Sequence, residues 1–360
     1  MNISSIKISD WNYLSAKSNF SNLIIGNGAS CAVWNKFNYT SLFEKAEKGL
    51  SQTVKSLFEE LDTKNFEDVL RALYVSSITI DSFNKQGIVD GTVYAHLIDE
   101  YDKLRTALFK AVGDVHLPYT PFQQENRIDD FAAAMADYQR VFSLNYDLLP
   151  YWSFQKDRIE PWVKKKHNVA YPSCTDFFGR PGGGDLVFRP SGGTKHIKLY
   201  YLHGGIHLWT DALTGEVGKL ENSGSKNILE LLVEGGDGVN RRKIPLFISE
   251  GKSTQKLQAI RNSGYLNFCY KSLKKHGDKA TIVFGTELGD VDEHIATALI
   301  KETDNPVAFS VYGSEGNQKN LHLQAERIRS NLPKDLVTSR PVLFFDSQSH
   351  PLGKIKPCVP

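Results

Sequence analysis

Polar residues that could do chemistry follow predicted buried strands at three places along the chain. "YLHGG" contains His203, "SLNYDLL" contains Asn145 and Asp147, and "FGTELGD" contains Glu287 and Asp290. An imidazole can accept a proton at neutral pH, since its ordinary pKa is about 6.5. Taken alone, each segment also has a structural explanation. His203 could pack at an ordinary strand end, and the amide and carboxyl groups could cap helices.

A glycine-rich turn forms a fourth segment of the same kind. "LIIGNGAS" predicts a short buried strand, followed by the turn residues 26–30 and the start of a helix. Glycine lets backbone amides approach a phosphate, and a helix N-terminus carries partial positive charge. The complete G-x-G-x-x-G is absent, so the turn alone is only a weak indication of phosphate binding.

Three other features resemble known motifs but do not predict a phosphate-binding or metal-binding site. "GKS" at 251–253 is not a P-loop, because Leu246 stands where that motif needs glycine. His203 and His207 follow a strand into glycines, so they do not present the helical spacing of a metal site. The cysteines are far apart and include no C-x-x-C pair, which excludes a cysteine zinc knuckle and predicts reduced, buried thiols: Cys31, Cys174, Cys269 and Cys358.

Composition excludes several classes of protein. With 360 residues and 41% hydrophobic content, the chain can bury one large core. A net charge of +2 provides no large excess of positive charge of the kind that indicates direct nucleic-acid binding. The short basic run "VKKKHN" at 163–168 is typical of a solvated face. No run approaches the roughly 18 apolar residues of a membrane span. The N-terminal segment lacks a signal-peptide layout, so we expect a cytoplasmic protein.

Hydrophobic periodicity predicts one α/β domain over residues 1–360. Residues 43–138 have mostly helical spacing, with "YVSSITI" at 74–80 as the one candidate strand. Elsewhere strands alternate with helices, which predicts a doubly wound, mostly parallel Rossmann-like sheet with a helical insertion and a tail at 346–360. Ligands of such sheets bind beyond the carboxyl ends of the strands. The four polar segments should therefore meet at one edge.

The order of the segments adds a family resemblance. "GNGAS", "SLNYDLL", "YLHGG" and "VFGTELGDVDEHI" follow one another as the motifs of the sirtuin-like NAD-consuming superfamily do. The chain most resembles its bacterial phage-defence NADase branch, which lacks the zinc module, over residues 22–345. Both C-x-x-C pairs of the deacetylases are missing, and "WNKFNYTSLFE" replaces their acidic-Phe-Arg segment. These departures argue against deacetylation and leave NAD+ cleavage intact.

The resemblance implies an NAD+ glycohydrolase that needs no metal and acts as the toxic effector of an anti-phage system. Asn145 would hold the ribose and orient water, His203 would accept a proton, and Asp147 would support the loop or the ribose. The resemblance also implies that the pyrophosphate of NAD is contacted by Gly26, Asn27, Gly28, Ala29 and Ser30. The adenosine side of NAD would be contacted by Gly285, Thr286, Glu287 and Asp290.

Control of such an enzyme is also implied by the resemblance. We expect a homo-oligomer, or a regulatory partner such as a HerA-type ATPase or an Argonaute-like protein, with the helical insertion and the tail as contact surfaces. No membrane contact is expected. Two alternatives stay open: a non-catalytic NAD or ADP-ribose-binding regulatory subunit, and a protein ADP-ribosyltransferase or deacylase. The presence of both Asn145 and His203 argues against the non-catalytic alternative.

Overall fold

The structure, a computed structural model, describes residues 6–37, 42–182, 184–190, 195–221, 228–229, 241–248, 251–313 and 318–358. The strands are β1 (Ile8–Ser9), β2 (Asn22–Ile25), β3 (Arg140–Ser143), β4 (Cys174–Thr175), β5 (Phe178–Gly179), β6 (Leu186–Phe188), β7 (Ile197–Tyr201), β8 (Gly204–Asp211), β9 (Val217–Lys219), β10 (Lys243–Phe247), β11 (Thr281–Phe284), β12 (Val307–Val311) and β13 (Val342–Asp346).

The α-helices are α1 (Trp11–Lys17), α2 (Asn27–Val33), α3 (Leu42–Glu47), α4 (Gln52–Glu60), α5 (Phe66–Asn84), α6 (Gly91–Val115), α7 (Tyr119–Gln123), α8 (Arg127–Met135), α9 (Leu149–Ser153), α10 (Lys156–His167), α11 (Ser253–Asn262), α12 (Gly264–Lys275), α13 (Glu293–Ala298), α14 (Gln318–Asn331) and α15 (Lys334–Ser339). Within the described ranges, no helix has both the length and the apolar character that crossing a bilayer requires.

A parallel sheet of eight strands, in the order β1-β13-β12-β11-β2-β3-β7-β4, forms the centre of the molecule. All residues of β2, β11 and β12 are buried. Such strands need near-continuous apolar sequence, because helices cover both faces of a parallel sheet. The predicted fold class, a doubly wound and mostly parallel sheet, is confirmed.

The register of four central strands places their carboxyl ends level with one another. Phe284 of β11 pairs with Ile25 of β2, Ile25 pairs with Ser143 of β3, and Ser143 pairs with Tyr201 of β7. The chain leaves β2 toward β3 and later returns to β2's other side as β11, so the strand order reverses between β2 and β11. This is the switch point at which open α/β sheets bind ligands.

Helices α3 to α8 occupy the span of the predicted helical insertion. The candidate strand at 74–80 is wrong, because these residues lie within α5. Val69, Leu70 and Leu73 form a buried face at helical spacing, and this packing overrides the strand propensity of the β-branched residues that follow. The indole of Trp34 donates to the Val115 carbonyl at 3.0 Å, which ties the end of α2 to α6.

A second, antiparallel sheet, in the order β10-β8-β9-β6-β5, was not predicted. The chain enters it directly from β7, with only Leu202 and His203 between the two sheets. The backbone turns at Gly204, whose φ is +73°. A Cβ there would lie 2.3 Å from the Leu246 carbonyl oxygen. Glycine at 204 therefore lets β10 pass close behind His203.

The C-terminal tail packs onto the domain in its described part, residues 346–358. The Cys358 amide donates to the Val33 carbonyl at 2.7 Å, and the Arg127 guanidinium donates to the Lys356 carbonyl at 2.9 Å. The tail thus connects α2 with the start of α8. Residues 359–360 of the predicted tail lie outside the described residues.

Gly204 and Gly215 have similar backbone angles, so substitutions at these two positions distinguish the cost of backbone strain from the cost of a steric clash. Gly215 has a φ of +70°, but no heavy atom lies within 4 Å of its ideal Cβ. We expect Gly215→Ala to lower the free energy of unfolding by about 1 kcal/mol. Gly204→Ala should lower the free energy of unfolding by at least about 2 kcal/mol more than Gly215→Ala does, because its Cβ also clashes with the Leu246 carbonyl. Urea unfolding of both variants measures this, and equal losses would show that the close approach at Gly204 is unimportant.

Candidate functional site

A buried hydrogen-bonded unit joins the glycine-rich turn to the segment after β3. The Asn145 side-chain amide donates to the Ser30 hydroxyl at 2.8 Å and to the Gly26 carbonyl at 3.1 Å. The Ser30 hydroxyl in turn donates to Asp147 Oδ2 at 2.6 Å. All three side chains are buried, with 5% or less of each exposed. The structure therefore brings Asn145, Ser30 and Asp147 together, and Asn145 is held in one orientation.

Asp147 also contributes to the local turn, as its alternative explanation predicted. Its Oδ1 accepts a hydrogen bond from the Leu149 amide at 2.8 Å, at the start of α9. Burial raises the pKa of Asp147 to about 6, although hydrogen bonds from Ser30 and Leu149 act in the opposite direction. The carboxylate is thus ionised at neutral pH, and both its oxygens accept hydrogen bonds from protein donors.

The glycines of the turn are required by the neighbouring backbone. The Gly28 amide donates to the Gly285 carbonyl at 2.7 Å, and the Gly26 amide donates to the Phe284 carbonyl at 2.8 Å. A Cβ on Gly28 would lie 2.8 Å from the Gly285 Cα, and a Cβ on Gly26 would lie 2.3 Å from the Thr286 Cβ. The close approach seen here is to another strand end, so a substitution at Gly28 reports on packing as well as on any phosphate contact.

The remaining predicted contact residues lie around this turn. Asn27 is exposed at the start of α2, and its side chain donates to the Phe37 carbonyl at 3.1 Å. Ala29 is buried. Glu287 forms an ion pair with Arg327 of α14, and Asp290 is exposed in the turn that precedes α13. Of the predicted adenosine-side residues, Gly285 and Thr286 therefore contact the glycine-rich turn, while Glu287 pairs elsewhere.

His203 lies in a second polar cluster, whose other members were not predicted as site residues. Its Nε2 is 3.2 Å from the His294 Nε2 and 3.9 Å from the Asp292 Oδ1. Asp292 Oδ1 also accepts a hydrogen bond from the Lys256 ammonium at 2.8 Å. The His294 Nδ1 lies 3.0 Å from the Ser253 hydroxyl. The sequence signals for these members are that "DEH" lies near the end of the fourth motif, and that Ser253 and Lys256 are three residues apart on a helix.

The protonation of His203 differs from the sequence-based expectation. Burial lowers its pKa to about 3, while Asp292 acts to raise it and Lys256 and His294 act to lower it further. His203 does not keep the ordinary pKa of a histidine. It is neutral at pH 7, which is the form that can accept a proton, but its protonation must be supported by neighbouring charge.

His203, Asp292 and His294 also have ligand atoms that all lie within 4.8 Å of one another. These residue types bind zinc. In this structure the two imidazoles bond each other, and Lys256 holds the carboxylate. A buried ammonium beside the carboxylate disfavours a second cation there. That the protein needs no metal ion stays a prediction.

Comparisons with known proteins identify a family. The chain matches the family described as Domain of unknown function (DUF4917) over residues 23–352. It belongs to this family. No curated protein matches the chain. The chain is also similar to a solved structure described as "Structural Basis for the Mechanism and Regulation of Sir2 Enzymes", with a TM-score of 0.39 and 11% identity over 94% of this chain and 91% of that chain. A similarity this distant does not assign an activity.

The raised pKa of Asp147 predicts a dependence of stability on pH. Because folding raises this pKa from 3.8 to about 6, the contribution of Asp147 is greatest below pH 4 and is lost as the pH rises through 6. The shift from 3.8 to about 6 corresponds to at most about 3 kcal/mol. The unfolding free energy of the wild type minus that of Asp147→Asn should therefore fall between pH 4 and pH 7.

Urea unfolding at several pH values measures this difference. Asp290→Asn removes an exposed carboxyl and serves as the control for a lost negative charge. A difference between the wild type and Asp147→Asn that rises with pH would contradict the assigned direction of the shift.

Proposed function

We propose that this chain cleaves the N-glycosidic bond of NAD+ to give nicotinamide and ADP-ribose. The observation that carries the proposal is the orientation of Asn145 by the glycine-rich turn, at the carboxyl edge of a parallel sheet. A buried, neutral His203 follows the adjacent strand. The order of the four sequence motifs, which resembles that of the sirtuin-like superfamily, is the second support.

In this proposal the bond between C1′ of the ribose and the nicotinamide nitrogen breaks first. The nitrogen keeps the electron pair, so nicotinamide leaves as a neutral molecule and the ribose becomes an oxocarbenium-like cation. Water then adds to C1′ and gives its proton to the neutral imidazole of His203. The products are nicotinamide, ADP-ribose and one proton, so water is the only other reactant.

Asn145 would position the ribose and the attacking water. Its amide nitrogen is committed to Ser30 and Gly26, so its Oδ1 is the atom that would accept a hydrogen bond from a ribose hydroxyl or from water. Asp147 would act through Ser30, because both of its carboxyl oxygens already accept hydrogen bonds from the protein. We therefore assign Asp147 a positioning role.

The dinucleotide would extend from this point along the switch between β2 and β11. Asn27 and Gly28 are exposed at the start of α2 and would contact the pyrophosphate together with Gly26, while Gly285 and Thr286 would contact the adenosine side. Neither contact requires a metal ion.

The role of toxic anti-phage effector would require control by assembly, through a second copy or an ATPase or Argonaute-like partner. The helical insertion offers a suitable surface, because α5 and the turn and helix after it expose apolar side chains. These side chains are each between 38% and 67% exposed: Val75, Ile78, Phe83, Ile88 and Val93. The proposed contact surface is thus on the insertion, since the described tail is packed against the domain.

His203→Ala and Asn145→Ala should each lower NAD+ turnover by about 10²-fold or more. Asn145→Ala should also lower the free energy of unfolding by about 1–3 kcal/mol, because Ser30 and Gly26 lose a buried donor. Turnover is therefore expressed per folded molecule, from nicotinamide release and melting temperature on the same preparations, with NAD+ affinity measured by calorimetry.

His350→Ala is the matched control. His350 is buried and hydrogen-bonded to Tyr138 at 2.8 Å, outside the proposed site, so this variant should lose stability and keep its turnover per folded molecule. Stable His203 and Asn145 variants with wild-type turnover would end the assignment. Wild-type protein that binds NAD+ without releasing nicotinamide would instead favour the non-catalytic alternative.

A further inference from the structure

The glycine-rich turn uses most of its backbone hydrogen-bond donors within the protein. The Gly26 amide donates to the Phe284 carbonyl at 2.8 Å, and the Gly28 amide donates to the Gly285 carbonyl at 2.7 Å. The Ala29 amide donates to the Gly26 carbonyl at 3.0 Å. The turn can therefore lie against a pyrophosphate, but few of its amides are left to bind the phosphate oxygens.

The polar side chains of the turn are committed as well. The Ser30 hydroxyl donates to Asp147 at 2.6 Å, and the Asn27 side-chain amide donates to the Phe37 carbonyl at 3.1 Å. A bound dinucleotide would also bring the negative charge of two phosphates to an edge that already holds the carboxylates of Asp147 and Glu287. Like charges repel one another, so binding there is favoured if another element of the fold supplies a cation.

Helix α14 brings such a cation, Arg327, to this edge. Arg327 forms an ion pair with Glu287, which stands two residues after Gly285 in the segment that follows β11. Gly285 itself packs on the glycine-rich turn, since a Cβ on Gly28 would lie 2.8 Å from the Gly285 Cα. The ion pair therefore places the guanidinium beside the strand end that contacts the turn.

The packing of α14 fixes the direction in which Arg327 extends. The helix buries apolar residues at helical spacing: Leu321, Ala325 and Ile328. Gln324 accepts a hydrogen bond from the amide of Tyr312, the first residue after β12. Because Gln324 and Arg327 are three residues apart, they lie on the same face of the helix. That face thus contacts the carboxyl ends of both β12 and β11.

The guanidinium of Arg327 can bind a phosphate while it stays beside Glu287. The Arg327 side chain is 61% exposed, compared with 30% for Glu287. A guanidinium has five N–H donors in a planar fork, and the contact with Glu287 is made by Nη2. Exposed ion pairs contribute little to stability, whereas Arg–phosphate hydrogen bonds are charge-assisted and often bidentate. An incoming phosphate can therefore share the guanidinium with the carboxylate.

Other cations near the motif segments are placed differently. Lys256 is only 7% exposed and is paired with a carboxylate in the cluster around His203. Lys36 follows the C-terminal end of α2, and its ammonium lies 5.2 Å from the centre of the Trp34 ring. Of these three cations, Arg327 is the one that is exposed beside the switch between β2 and β11.

We propose that Arg327 binds the pyrophosphate of NAD+ and supplies the positive charge that the glycine-rich turn lacks. This inference rests on the proposed function and adds a binding residue to it. Cleavage of the bond to nicotinamide leaves the pyrophosphate unchanged, so Arg327 contacts the substrate and the transition state equally. Such a contact acts on KM and leaves kcat unchanged.

Binding of ADP-ribose tests this role without any turnover. Arg327→Gln should raise the Kd for ADP-ribose, measured by calorimetry, by about tenfold or more, because hydrogen bonds to a charged group are lost. Adenosine carries no phosphate, so saturation-transfer NMR should show that it binds the wild type and this variant alike. An unchanged Kd for ADP-ribose would overturn the proposal, as would an equal loss of adenosine binding.

Arg329→Gln is the matched control. Arg329 is an exposed arginine of the same helix, but residues two apart do not share a helix face. This variant loses the same charge and should keep the wild-type Kd for ADP-ribose. The affinity of the wild type should also fall with rising salt more steeply than that of Arg327→Gln, since salt screens an exposed charge. Equal losses of affinity in the two variants would show that only the total charge matters.

Kinetics separate this inference from the proposed function. With NAD+ as substrate, Arg327→Gln should raise KM by about tenfold or more and keep the wild-type kcat. If NAD+ is cleaved but its KM is unchanged in this variant, the role of Arg327 fails and the proposed function stands. If ADP-ribose binding depends on Arg327 but NAD+ is not cleaved, the proposed function fails and the pyrophosphate contact stands. Wild-type protein that binds neither NAD+ nor ADP-ribose would overturn both.

Discussion

The register of four parallel strands determines where the polar groups of the four motif segments lie. Phe284, Ile25, Ser143 and Tyr201 lie level with one another across the sheet, so the four segments that follow them begin at one edge. Side chains alternate along a strand, and a slip of one residue in β3 would therefore direct Asn145 away from Ser30. Segments more than a hundred residues apart in sequence become hydrogen-bonded neighbours through this constraint, as the contact between Ser30 and Asp147 shows.

Burial then determines the charge of the two key polar groups. Transfer of polar side chains out of water is unfavourable unless partners are supplied. Asp147 receives donors from Ser30 and Leu149, yet burial still raises its pKa to about 6. Burial lowers the pKa of His203 to about 3. The same edge thus holds one carboxylate and one neutral imidazole at pH 7, and such separation of pKa values is typical of sites that move protons.

The sequence was sufficient to predict the parallel sheet, because buried parallel strands are short continuous apolar runs and their turns contain glycine and polar residues. It could not predict the second sheet, in which β5, β6 and β9 have only two or three residues and show no measurable periodicity. The pairing of His203 with His294 spans 91 positions, and that of His294 with Ser253 spans 41; no local pattern encodes such contacts. In the sequence, a glycine at position 28 is compatible with a phosphate contact and equally with close backbone packing. Only the structure shows that Gly285 lies against Gly28.

The central claim is that this edge of the sheet delivers water to C1′ of NAD+. Incubation of the purified chain with NAD+ in H₂¹⁸O, followed by mass spectrometry, tests it most directly. We expect free nicotinamide and free ADP-ribose in equal amounts, with one ¹⁸O atom in each ADP-ribose. Nicotinamide release without free ADP-ribose would show that a protein group, as in a transferase, is the acceptor. Intact NAD+ at high protein concentration would contradict the account.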